Sequence, residues 1–251
     1  MGGKPFLALN IAAVPEDLPP DVVSEILRGG AEKAREAGVV IAGGHTVKDR
    51  EPKYGLVALG FLDPQKMLSK GNLKPGDRLF LTKPLGFGLI TTALKREQAD
   101  PEDVNEVVGW MTRLNNIAGQ LAVESGLRAG TDITGFGLLG HAVEMAQASG
   151  VALELHFEQL PFVKSARKYA ALGTFAGGLH DNRSYFGPHV AFDGHLDEAS
   201  QMMLYDPQTS GGLLLGVPEA EADAFAGRAQ SLKQSIWPIG LVNDGNGIRV
   251  K

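Results

Sequence analysis

The residues best suited to chemistry lie together in the stretch Thr131-Asp132-Ile133-Thr134-Gly135-Phe136-Gly137-Leu138-Leu139-Gly140-His141. An acid stands beside hydroxyls and a glycine-spaced turn. The turn opens into Leu138, Leu139, Ala142, Val143, Met145 and Ala146, which recur at helical spacing until Gly150 stops the pattern. A helix N-terminus offers free N–H groups and the positive end of the dipole, which suit phosphate. Asp132 offers hard oxygens of the kind Mg²⁺ takes. A purely structural reading fits the same spacing: a capped helix, with Thr134 or Asp132 as the cap and the glycines as turn residues.

Three other groups can be read in two ways. Gly43-Gly44-His45-Thr46 follows the apolar run 39–42 and reads as a turn at the carboxyl end of a buried strand, where α/β proteins commonly bind ligands. Its amides and the Thr46 hydroxyl can hold phosphate oxygens; an ordinary strand exit with a surface histidine is the reading that spacing alone favours. Asp206-Pro207-Gln208-Thr209-Ser210-Gly211-Gly212 reads as a second phosphate or substrate loop, or as a structural turn whose Gln and Ser bond to backbone; chemistry alone favours the turn. Lys83, after a strand and before a glycine turn, reads as a phosphate contact or as a solvated lysine; the solvated reading is the one favoured. His45, His141 and His180 do not fall at metal-ligand spacing, so no transition metal is expected.

The elements that must position these groups follow from the apolar pattern. Residues 6–14 and 39–42 read as buried strands, 54–62 as a third strand, and 21–37 as an amphipathic helix stopped by Gly38: an α/β layer. The polar stretch 63–77, with Lys70-Gly71 and Pro75-Gly76, reads as a seam between two domains. Beyond it the pattern predicts a strand at 78–82, a helix at 89–95 and one long helix over 102–127. The central motif follows, with its helix and a strand at 151–156. Residues 161–199 read as a helix and a long irregular connection. A strand at 213–217, a helix at 219–231 and strands at 235–242 and 247–251 complete the chain. The turn Asn243-Asp244-Gly245-Asn246 is expected to join the last two as a hairpin, with 247–251 as the closing edge.

Composition narrows the class. The 251 residues are 43% hydrophobic, enough for a core, and the net charge of -5 argues against a nucleic-acid surface as the main activity. The absence of cysteine removes disulfides, thiolate nucleophiles and zinc–thiolate sites. No apolar run has transmembrane length and the first residues do not read as a signal peptide, so a cytoplasmic protein is expected.

Taken together, the motifs resemble the selenophosphate synthetase (selenide, water dikinase) family, in the wider group that includes aminoimidazole ribonucleotide synthetase. The resemblance runs in order through Met1-Gly2-Gly3-Lys4-Pro5, Gly43-Gly44-His45-Thr46, Glu51-Pro52-Lys53-Tyr54-Gly55-Leu56 and Leu81-Thr82-Lys83-Pro84-Leu85-Gly86. It continues through the 131–141 motif and the 206–212 loop. It implies ATP-dependent conversion of selenide to selenophosphate with release of AMP and phosphate. It also implies Mg²⁺, a homodimer, and an ATP site built partly across that dimer, with no nucleic-acid or membrane partner. Asp132 matches the family's C-terminal metal-binding aspartate, and Gly44, His45 and Thr46 match the segment that touches nucleotide from the partner subunit. The roles of Lys83, Asn182, Arg183 and the 206–212 loop stay open.

The implied fold is a two-domain α/β (α+β), aminoimidazole ribonucleotide synthetase-like one. Residues 1–65 would be the C-terminal remnant of a truncated ATP-binding and dimerisation domain, and 76–251 a complete C-terminal α/β domain. In the family a catalytic Cys or selenocysteine, a Lys and further metal-binding aspartates precede the counterpart of Met1. The resemblance therefore assigns no catalytic residue here, and these 251 residues are expected to be incomplete for catalysis. Two rival readings remain: a non-catalytic binding or regulatory module of the same fold, and a same-fold ATP-dependent enzyme acting on another small metabolite.

Overall fold

The computed structural model describes residues 1–251, which divide into two compact units: Gly2–Gln65, and Lys66–Lys251 together with Met1. No strand is shared between their sheets.

In the first unit, β1 (Lys4–Val14) is followed by α1 (Pro20–Glu36), β2 (Val40–Lys48) and β3 (Lys53–Phe61). The helix carries the chain across so that β2 lies parallel to β1, while β3 returns antiparallel on the other side, giving the order β2-β1-β3. Pro20 opens α1 with Asp21 in its first turn, and Lys33 and Arg35 occupy its last, complementing the helix dipole at both ends. Alternation along β1 divides the sheet into two faces. Ala8 and Ala12 are buried, whereas Leu9 and Ile11 point the other way and are exposed. Register brings Val40, Val57 and Leu59 beside them, all exposed. The apolar strands expected to be buried are thus covered on one face only.

The second unit is built on a seven-stranded sheet. Its strands are β4 (Arg78–Leu81), β5 (Ala129–Asp132), β6 (Ala152–Leu155), β7 (Val190–Phe192), β8 (Leu213–Val217), β9 (Trp237–Asn243) and β10 (Gly247–Val250), in the order β5-β8-β4-β9-β6-β10-β7. Pairings are antiparallel from β5 to β6 and parallel from β6 to β7. The helices are α2 (Phe87–Lys95), α3 (Pro101–Met111), α4 (Asn116–Glu124), α5 (Gly137–Ser149), α6 (Ala166–Ala171), α7 (Gly177–Phe186), α8 (Glu198–Met203) and α9 (Glu219–Ser231).

Period-two alternation sends Leu79, Leu81 and Leu214 to one core with α5, and Phe80, Leu213, Leu215 and Val217 to another with α4 and α9. A third cluster seals α2, α3 and α6 through Phe87, Leu89, Val107, Ala166 and Tyr169. Each buried Leu or Phe contributes roughly 1.5–3 kcal/mol.

Four sequence expectations are corrected here. The helix expected over 102–127 is two helices, α3 and α4, broken at 112–115 by bonds made elsewhere: Lys83 Nζ donates to the Arg113 carbonyl, and Asn115 Nδ2 to that of Gly211. Residues 161–199 hold α6, α7, β7 and the start of α8 rather than one helix and an irregular connection. The strands β9 and β10 run in opposite directions but form no hairpin, because β6 lies between them. Turn residues specify a reversal, not which strand fills the neighbouring slot. For the same reason β10 is internal, and β7 takes the edge. No helix is long and apolar enough to cross a membrane.

Candidate functional site

Asp132 ends β5, and the hydrogen-bond ladder to β8 carries on one residue past it, with Ile133 N–H donating to the Gly212 carbonyl at 2.8 Å. Ile133 is fully buried while Asp132, next to it, is exposed, so the chain is anchored immediately beside the carboxylate. The turn that follows is held from three sides. Gln208 N–H donates to the Thr134 carbonyl at 3.0 Å, Gly137 N–H donates to the same carbonyl at 3.1 Å, and Asn182 Nδ2 donates to the Gly135 carbonyl at 2.8 Å. Gly137 has φ 69°, and a Cβ there would lie 2.8 Å from the Tyr205 main chain, so only glycine fits.

Neither Thr134 nor Asp132 caps α5, whose N-cap is Phe136. The first turn of α5 is buried, and its Leu139 N–H is taken by the Leu204 carbonyl at 3.1 Å. What faces solvent is the carboxylate of Asp132 and the Gly135–Phe136 tip, rather than an open helix N-terminus.

Behind the turn lies a chain of polar contacts. Thr134 Oγ1 is 3.1 Å from His141 Nε2, His141 Nδ1 is 3.2 Å from Glu144 Oε2, and Lys70 Nζ donates to that same Glu144 oxygen at 2.7 Å. Burial holds the His141 pKa below its usual value, against opposing pulls from Glu144 and Asp132. The contact with Glu144 is therefore a hydrogen bond from a neutral ring rather than an ion pair.

The 206–212 loop is a structural anchor, in line with the turn reading. Gln208 Oε1 accepts from the N–H groups of Gly86 and Phe87 at 3.0 and 3.1 Å. Asp206 Oδ2 accepts from Leu89 N–H at 3.2 Å and from Gln208 Nε2 at 2.9 Å. The N-terminus of α2 is thus occupied by the protein's own side chains. Burial pushes the Asp206 carboxyl up to about 7. The expectation of a solvated Lys83 is corrected. The side chain is 1% exposed, with Nζ donating to the carbonyls of Arg113 at 2.6 Å and Ser210 at 2.8 Å. Burial, helped by the nearby Arg113 charge, lowers its pKa to about 8. A lysine before a glycine turn resembles a phosphate or solvent group in sequence; its acceptors are main-chain oxygens that no side-chain pattern shows.

Gly44, His45 and Thr46 are also placed differently from expectation. They lie inside β2, not in a turn at its end. The register slips between Ala8–Ile41 and Leu9–Gly43, leaving Ala42 as a bulge, and Gly43 and Gly44 take φ 150° and 158° to pass it. A Cβ on Gly44 would lie 2.1 Å from the Asn10 carbonyl oxygen. The strand is an edge strand and His45 and Thr46 are exposed on it. Asp132 and the Gly44–Thr46 segment belong to different units.

Sequence reasoning missed Glu144 and the structural role of Asn182. Glu144 is three residues after His141 and His141 seven after Thr134, a spacing that sets them along one side of the turn and helix. Asn182 gave no signal, because its partners, the Gly135 and Tyr205 carbonyls, are distant in sequence.

With this geometry in place, comparison with known proteins defines the class. Residues 1–62 match the N-terminal domain of AIR synthase related proteins, and residues 74–251 match the C-terminal domain of that family. A thiamine-monophosphate kinase from Stenotrophomonas maltophilia K279a shares the fold, with TM-score 0.76 and 19% identity over 100% of this chain and 73% of that one. E. coli HypE, a hydrogenase maturation protein, does so with TM-score 0.76 and 20% identity over 99% of this chain and 70% of that one.

Closer relatives narrow the class to one family. A selenide, water dikinase of Carboxydothermus hydrogenoformans is 42% identical over 98% of this chain and 72% of its own length. Those of Treponema denticola and Caldanaerobacter subterraneus are 43% and 44% identical, over 90% and 97% of this chain and 63% and 71% of theirs. The chain belongs to the selenide, water dikinase family.

Proposed function

We propose that this chain serves ATP-dependent synthesis of selenophosphate from selenide, with release of AMP and phosphate. The observation that carries the reading is the family membership, joined to an exposed carboxylate at the end of β5 on a rigidly held turn. Asp132 is the residue that would hold Mg²⁺. No three His, Asp or Glu side chains are grouped to cage a metal. A single carboxylate still fits this ion, which keeps several waters and is commonly held by one or two carboxylates together with substrate phosphates. When bound, Mg²⁺ neutralises developing charge on the transferred phosphoryl group. Gly44, His45 and Thr46 would touch the nucleotide of a partner subunit in a homodimer. In this reading residues 1–65 belong to an ATP-binding and dimerisation domain and 76–251 to the C-terminal domain.

Calorimetry of Mg²⁺–ATP binding to the chain and to Asp132→Ala tests the assignment. The variant is expected to bind at least about tenfold more weakly, the scale of a lost charge-assisted contact. Equal affinity in the two proteins sinks it. Phosphorus NMR of a mixture with selenide separates selenophosphate synthesis from an ATP-dependent reaction on another metabolite.

A further inference from the structure

Thr134, His141 and Glu144 form a hydroxyl–imidazole–carboxylate line beside Asp132, with contacts of 3.1 and 3.2 Å. The direction of its hydrogen bonds follows from the inner end. Glu144 Oε2 already accepts from the Lys70 Nζ at 2.7 Å, so that oxygen acts as an acceptor and His141 donates to it from Nδ1. His141 is 6% exposed, and a second proton would place a cation inside the unit. Its Nε2 is therefore an acceptor, and the Thr134 hydroxyl is the donor. A hydroxyl whose proton is committed inward has lone pairs left, and Thr134 is only half-buried, two residues from an exposed acid.

We propose that the Glu144–His141–Thr134 line makes Thr134 a positioning residue of the Asp132 site, its oxygen accepting hydrogen bonds from the water shell of a divalent cation–polyphosphate ligand. The inference rests on the Asp132 reading and deepens it. Mg²⁺ retains most of its waters, so a fixed acceptor near a lone carboxylate supplies orientation that Asp132 alone does not. Without His141 the hydroxyl rotates freely, and it presents its proton as readily as its lone pairs.

Two measurements on the full 251-residue chain test this. Long-range nitrogen–proton NMR reads the tautomer directly: a hydrogen-bearing Nδ1 and a bare Nε2 are expected in His141, and a protonated Nε2 overturns the proposal. Calorimetry with Mg²⁺–ATP then compares Thr134→Val, Thr134→Ser, Glu144→Gln and Asp132→Ala. Removing an outer partner of a metal site weakens binding about 10–100-fold. Thr134→Val and Glu144→Gln are expected in that range, with Thr134→Ser near the parent chain. Loss in Asp132→Ala with parent affinity in Thr134→Val overturns this proposal alone. Parent affinity in both overturns it together with the Asp132 assignment. A Thr134→Ser variant as weak as Thr134→Val also overturns it, because the hydroxyl would then be irrelevant.

Discussion

The Lys83 ammonium is tied to the Arg113 carbonyl at 2.6 Å, across the gap where α3 gives way to α4. Its other acceptor, the Ser210 carbonyl, joins that gap to the 206–212 loop. A buried cation satisfied only by main-chain oxygens costs stability as long as it stays charged. Its pKa falls from 10.5 to about 8 on folding, so between those values the unfolded chain holds the proton and the folded chain does not. Stability should therefore rise as pH goes from 8 towards 10.5, by at most about 3 kcal/mol. Urea unfolding at pH 7.5 and 10 should show this gain in the parent relative to Lys83→Met. An identical pH dependence in both would contradict the assignment.

Asp206 works in the opposite sense. Burial lifts its carboxyl from 3.8 to about 7, with Gln208 and the Leu89 N–H pulling the other way. The folded state holds the proton longer, so the stability this group contributes is complete below pH 3.8 and is lost as pH rises through 7. Asp206→Asn removes that loss. The variant should gain on the parent between pH 5 and pH 8, and thermal unfolding at the two values checks it. A constant difference between the two proteins would mean that Asp206 is ionised throughout.

These two residues also mark where the sequence was legible. The helical period of Leu138, Leu139, Ala142, Val143 and Ala146 identified α5 and its buried side, and Gly150 its end. The α/β character follows from such periods because burial creates them. Asp132 and the Gly44–Thr46 motif stood out by composition. The environments of Lys83 and Asp206 did not. Lys83 Nζ is held by the Arg113 and Ser210 carbonyls, and Asp206 by the Leu89 N–H as well as by nearby Gln208; those backbone atoms are brought up by distant segments. The break at 112–115 was hidden for the same reason, and so was the insertion of β6 between β9 and β10.

Gly44 yields a sharper test of backbone geometry. With φ 158° and the Asn10 oxygen 2.1 Å from where a Cβ would stand, Gly44→Ala must either shift β1 or break the bulge. The cost should be about 2 kcal/mol or more, the upper part of the range for strained backbone. Gly29, with no atom within 4 Å of its missing Cβ, is the control. Gly29→Ala, inside α1, should stabilise by roughly 0.5–1 kcal/mol through helix propensity. Hydrogen exchange in β1 and β2 should accelerate in the first variant only.

The open face of the first sheet supplies the last prediction. Leu9, Ile11, Val40, Val57 and Leu59 are exposed on adjoining strands, and Phe61, stacked on Phe6 at 4.7 Å between ring centroids, is 74% exposed. Apolar side chains in such a contiguous row favour contact with another apolar surface. In the proposed homodimer that surface is the same face of a second copy. A charge at its centre would then have to be desolvated twice, once in each copy. Ile11→Lys should therefore shift the protein towards monomer, by tenfold or more in dissociation constant for about 1.4 kcal/mol lost. Leu232→Lys, at an exposed apolar position in the other unit, should leave the assembly as it was. Light scattering across a dilution series distinguishes the two. A dimer equally tight in Ile11→Lys would place the contact on another surface.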